Sequence, residues 1–188
     1  MIAAPPRSAW AILLFGLAGW IASVTLTVER FKLFVDPAYI PTCSLNPVLS
    51  CGSVMVTDQA AIFGFPNPLM GIVGFSVVVT LGVLAVAYVG MPRWVWGGLW
   101  LGMLLGIVFV GWLIFQSLYR IGALCPYCMV VWAAVPPLLA VLTELLWGRT
   151  GGPLGVVAEW RWTIVAVSYA VVLVLVFLRF QDYWLSLA

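Results

Sequence analysis

Four cysteines carry the only strongly nucleophilic side chains in this sequence, and they come as two spaced pairs. Cys125 and Cys128 form a C-x-x-C pair at the edge of an apolar run, and Cys43 and Cys51 form a C-x7-C pair. A C-x-x-C pair is suited to exchanging electrons between thiol and disulfide, because the thiolate is both the nucleophile and the leaving group. Pro126 suits the first position of a helix, which makes Cys125 its cap and places Cys128 one turn in. The unpaired N–H groups and positive dipole end there favour thiolate over thiol. This spacing predicts Cys125 as the exposed exchanger. Cys128 lies deeper, at a level that an apolar molecule dissolved in a bilayer reaches. The sequence has no histidine, which removes His-based metal sites, Ser-His or Cys-His nucleophiles and the usual neutral-pH proton carrier.

Other uses of the thiols stay open at this level. A four-thiolate zinc site is one, although C-x-x-C with C-x7-C is not the paired C-x-x-C spacing of a zinc ribbon. Two disulfides that only hold an outer loop down are another. A thioredoxin-type domain is excluded, because no βαβ pattern surrounds Cys125.

The elements that must position these thiols are membrane helices. Hydrophobic residues make up 65% of the 188 and charged residues 7%, against ~45–50% and ~25% in soluble domains. Five apolar stretches reach the roughly 17–25 residues that a span needs: about 10–28, 68–89, 94–119, 126–146 and 162–178. Glu144 is the one formal charge within them, in the last turn of the fourth. The first is longer than the apolar core of a signal peptide and is expected to be retained. The expectation is one transmembrane domain over residues 1–188, with no soluble domain appended and with the two termini on opposite faces.

Short linkers make consecutive spans antiparallel neighbours. The stretch 29–67 is longer, too apolar for disorder, and is expected to cap the bundle, with 53–63 as a short amphipathic helix and Phe63 and Phe65 at headgroup level. Gly98, Gly102 and Gly106, four residues apart, line one face of the third span and let another backbone approach closely, inside the bundle or across a dimer interface. The eleven tryptophans suit interface anchoring. By this span assignment, both cysteine pairs emerge on one face. Charge does not set the orientation: Arg7, Arg93, Arg149 and Arg161 on one side balance Arg30, Lys32, Arg120 and Arg179 on the other. A net charge of +2 without basic runs gives no footprint for nucleic acid.

Taken together, "CSLNPVLSCGSV", then "FPNPLMG", then "CPYC" opening a later span, resemble the vitamin K epoxide reductase family, in its short bacterial form without a thioredoxin-like domain. The likeness runs from about Trp10 to Trp147. It implies an all-α integral membrane fold in which four helices surround a quinone, a fifth is peripheral, and a long extracytoplasmic loop caps them. It implies that Cys125 and Cys128 are the active-site pair, with Cys128 reacting with the quinone ring. Cys43 and Cys51 would be the shuttle pair, Cys51 exchanging with Cys125 and Cys43 with an outside protein. Asn67 matches an asparagine that hydrogen-bonds a quinone carbonyl, and Thr57 a hydroxyl residue of the cap. Trp132 stands where vertebrate members have a tyrosine that donates to the other ketone; an indole N–H also donates, with a different reach.

Bacterial members are similar to disulfide-forming systems: they oxidise a DsbA-like thioredoxin-fold partner and pass electrons to menaquinone or ubiquinone, without a metal. A multi-pass protein of the bacterial inner membrane follows. Disulfide formation requires an oxidising compartment, so the cysteine face is expected outside and the amino terminus in the cytoplasm. The alternatives are reduction of a quinone epoxide such as that of vitamin K, which would use the same thiols, and a membrane scaffold or transporter whose cysteines are structural or bind metal.

Overall fold

Prolines mark where the apolar runs begin to coil. In the computed structural model, which describes residues 1–148, 150 and 152–185, the order is α1 Pro6–Val35, α2 Cys51–Met55, a 3-10 turn Asp58–Ala61, α3 Asn67–Val86, α4 Arg93–Gln116 continued by a π turn Ser117–Ile121, α5 Pro126–Trp147, α6 Pro153–Glu159, α7 Arg161–Arg179 and α8 Gln181–Leu185. Pro6, Pro68, Pro126 and Pro153 sit in the first two positions of their helices, where a missing N–H costs nothing. Among the described residues five helices, α1, α3, α4 with its π turn, α5 and α7, are long and apolar enough to cross a membrane.

Helices α1, α3, α4 and α5 form the bundle, and α5 is its centre: 56% of its apolar window is buried, against 6% for α7. The peripheral α7 is tied on by polar contacts at Tyr169, Arg179 and Arg161. Pro137 has no N–H to give to the carbonyl of Ala133, and the Tyr169 hydroxyl of α7 donates to that carbonyl instead. At its other end, Arg179 Nε donates to Leu118 O in the π turn at 2.8 Å. Glu144 is paired with Arg161 Nη2 at 2.8 Å.

Several expectations are corrected. Helix α1 runs past residue 28 to Val35, because nothing breaks it before Asp36 turns extended ahead of Pro37. The cap is not one helix over 53–63 but two pieces: Thr57 is extended and its hydroxyl bonds back to Val54 O. The linker after α5 contains α6, and Arg149 lies outside the described residues. The Gly98–Gly102–Gly106 stripe is not a seam among the described residues, since no neighbouring element comes within 4 Å of a Cβ placed at Gly98 or Gly102. The close approach is between α1 and α3. There a Cβ on Gly82 would stand 2.9 Å from the Leu13 backbone, and one on Gly16 would stand 2.9 Å from Val78.

Candidate functional site

Backbone pairing brings the two cysteine pairs together. Leu124 N–H donates to Val48 O at 2.7 Å, and Ser50 N–H donates to Leu124 O at 2.9 Å, a one-residue parallel bridge between Leu49 and Leu124. Asn46 shapes the cap strand for it, its Oδ1 accepting from the N–H groups of Val48 at 3.0 Å and Leu49 at 2.7 Å. With 49 held opposite 124, Cys51, two residues on, and Cys125, one residue on, are brought to the same place. Cys51 opens α2, which Ser50 caps, and Cys125 is the N-cap of α5.

The result is a row of sulfurs. Cys43 and Cys51 form a disulfide, Cys125 and Cys128 are free thiols, and Cys51 Sγ stands 3.1 Å from Cys125 Sγ. The expectation of an exposed Cys125 is wrong: it is 1% exposed, with Cys51 at 0% and Cys43 at 5%. Considered alone, the linker leaves Cys125 open, but α2 lies over it and Leu26 and Met55 complete the apolar seal. The thiol of Cys125 is nevertheless held below the ordinary thiol range. The hydrogen bond from the Cys128 thiol is the main cause, helped by the backbone N–H groups of Cys128 and Tyr127, and together they outweigh burial, which pushes the other way.

Below the sulfurs lies a cavity of about 580 Å³, within the ~300–1,000 Å³ typical of small-molecule sites. Its walls come from all four bundle helices, for example Leu26, Phe75, Met103 and Val135, and it is roofed by Met55 and Gln59 of the cap. Cys125 and Cys128 both face it. Gly102 and Gly106 line it too, so the glycine stripe leaves room for a ligand instead of a neighbouring helix.

Two of the three expected ligand contacts reach this space. Asn67, 9% exposed, lines it. One N–H of its amide goes to Gln59 O at 2.8 Å and its Oδ1 accepts from Ile62 N–H at 3.3 Å, so Asn67 fastens the roof and keeps a second N–H. Trp132 lines the cavity, and its buried Nε1 has no hydrogen-bond partner among the described residues, a state that costs about 1–3 kcal/mol. Asn67 and Trp132 thus place amide and indole N–H groups on an otherwise mostly apolar wall. Thr57 is not brought to the cavity wall; its hydroxyl donates to Val54 O at 2.8 Å.

Sequence reasoning missed Glu29, which it left in a loop. The structure buries it to 3% exposure in the last turns of α1, where its carboxylate accepts from Thr42 N–H at 2.9 Å, one residue before Cys43. The signal was a lone carboxylate beside an otherwise uncharged run. Also missed were Gln59, Arg30 and Ser117, polar groups on the cavity wall.

Among known families, the model of the vitamin K epoxide reductase family matches residues 10–143, a stretch that takes in both cysteine pairs and the cap and stops before α6. No curated protein matches the chain.

Proposed function

This chain belongs to the vitamin K epoxide reductase family, which implies an oxidoreductase with a quinone as redox partner in a multi-pass membrane setting, and we propose that it is a thiol oxidase that supports disulfide formation in secreted proteins. Electrons enter from a DsbA-like thioredoxin-fold protein at Cys43–Cys51, cross to Cys125–Cys128 and leave to menaquinone or ubiquinone. The observation that carries this is the 3.1 Å approach of Cys51 Sγ to Cys125 Sγ, which joins a disulfide on the cap to a dithiol on the cavity.

The steps balance by thiol exchange. A partner thiolate attacks Cys43, Cys51 leaves as thiolate, and the partner's second thiol frees Cys43, so the partner ends as a disulfide. Cys51 then attacks Cys125 of a Cys125–Cys128 disulfide and Cys128 leaves. Cys43 attacks Cys51 and Cys125 leaves, a departure that its lowered thiol value assists. The product is the arrangement described above, one disulfide at 43–51 and two thiols at 125 and 128.

When bound, the quinone supplies a two-electron, two-proton acceptor. Asn67 and Trp132 would hold its two carbonyls with N–H groups aimed into a water-poor space. Cys125 and Cys128 give up two electrons and two protons and close into a disulfide. We place the cysteine face outside the bacterial inner membrane, since the product disulfides need an oxidising compartment. A four-thiolate metal site competes poorly, because two of the four sulfurs are already bonded to each other.

The test is thiol oxidation coupled to menadione reduction. Cys128→Ala is expected to abolish the reaction with quinone. Cys43→Ala is expected to keep oxidation of small dithiols and lose that of a thioredoxin-fold protein. Equal, mild effects from the two variants would sink the relay. Turnover of quinone against quinone epoxide then separates this activity from epoxide reduction.

A further inference from the structure

The way in to the relay is shut. Cys43 is 5% exposed, and attack on a disulfide requires the incoming thiolate to reach the sulfur itself; a second protein cannot do that while the residue stays this buried. Some part of the cap must move, and the pattern of attachments shows which. The half of the cap nearest Cys51 is fixed to the catalytic linker by the Leu49–Leu124 bridge, and Ser44 Oγ accepts from Gly52 N–H at 3.2 Å.

The stretch before Cys43 is held differently. Its polar ties to α1 converge on Glu29 and its ion-pair partner. Glu29 Oε2 accepts from Thr42 N–H at 2.9 Å and from the Tyr39 hydroxyl at 3.1 Å, while Oε1 accepts from Lys32 Nζ at 3.2 Å. A buried carboxylate is costly unless donors surround it, and this one has a backbone, a phenol and an ammonium donor. Water can take over when they part, because the Lys32 side chain is 49% exposed. Each bond therefore opens at small net cost, unlike the apolar seal around Cys51.

We infer that Glu29 is the positioning residue of a latch: it holds the Asp36–Cys43 stretch down over the disulfide, and release of that stretch precedes exchange between Cys43 and a protein partner. The latch rests on the relay described above. In the exchange it controls, the partner thiolate bonds to Cys43 Sγ, the Cys43–Cys51 bond breaks with Cys51 leaving as thiolate, and the partner's second thiol displaces Cys43. Two electrons enter the protein and the partner ends as a disulfide.

The experiment uses the full chain with its Cys43–Cys51 disulfide intact, in detergent and without quinone. Amide exchange is followed by mass spectrometry, and single-turnover reduction by reduced thioredoxin is followed through oxidation of the thioredoxin. Losing the latch bonds in Glu29→Ala is expected to raise exchange over residues 36–43 and the reduction rate by about tenfold each, with exchange around 48–50 and 123–125 unchanged. Glu29→Gln, which still accepts from Thr42 N–H, should stay within about threefold of the parent. Unchanged exchange at 36–43, or faster exchange with an unchanged or slower reduction, overturns the latch. If Glu29→Ala does not fold, Tyr39→Phe decides: a rise of about threefold supports the latch, and parent rates overturn it. Failure of the relay would show separately, as a parent protein that thioredoxin reduces and menadione does not reoxidise.

Discussion

Replacing Trp132 tests whether the cavity binds a carbonyl ligand. The indole N–H is buried on the cavity wall without a partner among the described residues. An unmet buried donor costs about 1–3 kcal/mol, and a ligand carbonyl that meets it recovers most of that. At 1.4 kcal/mol per tenfold, Trp132→Phe should weaken quinone binding by roughly 5- to 150-fold. The ligand-free protein feels two opposed changes. Removing the orphan donor stabilises it by a similar amount, while a smaller ring gives up packing. Because one face of Trp132 already borders open space, these nearly cancel, and the thermal midpoint should move by no more than a few degrees. The assay is the KM for menadione at saturating dithiothreitol, together with direct titration of the reduced protein. Trp132→Tyr returns a donor and should recover part of the loss. A Phe variant with the parent KM would refute the reasoning. So would a raised KM that Tyr does not lower at all, since packing alone would then explain it.

The low thiol value of Cys125 has a definite sign. A depressed value keeps the thiolate populated as pH falls, so its ultraviolet absorbance should disappear at a midpoint below that of an ordinary thiol. Cys128→Ala, which removes the leading hydrogen-bond donor, should raise that midpoint; a midpoint indifferent to Cys128 contradicts the assigned cause. Thr57→Val should leave the quinone KM at the parent value and cost about 1 kcal/mol of stability or less, because the hydroxyl is spent on Val54 O. A clear rise in KM would show that the hydroxyl reaches the ligand after all.

The helices and the grouping of the cysteines were legible in the sequence because each depends on local information. Apolar runs opened by Pro68 and Pro126 specify spans, and span parity puts both cysteine pairs on one face. The burial of Cys125 was not legible, since it depends on one residue of backbone pairing between Leu49 and Leu124, too short to leave any alternation. Glu29 was misplaced for a related reason. A charge argues against a membrane segment, but a helix that outruns the bilayer is free to carry an i,i+3 pair such as Glu29 and Lys32. The glycines mislead in the opposite direction. Regular spacing at Gly98, Gly102 and Gly106 resembles a packing seam, whereas the real seam uses Gly16, opposite the Val78 side chain, and Gly82, opposite the Leu13 backbone.

The two ends of the sulfur row differ in a way that bears on rate. Cys128 keeps part of its surface open to the cavity, so a ligand already in the bundle reaches it without movement of the cap. Cys51 and Cys125 are within exchange distance and sealed from water, so the middle transfer needs only a small shift of one sulfur between two neighbours. On the relay reading Cys43 alone must change its surroundings before it reacts, because the proposed donor is a protein and Cys43 is 5% exposed. On the relay reading, then, the half-reaction with the protein partner is the one limited by conformation, and the half-reaction with quinone is limited by chemistry and by diffusion in the membrane. On the latch reading, a protein partner must displace the Tyr39–Thr42 stretch from Glu29 before its thiolate reaches Cys43.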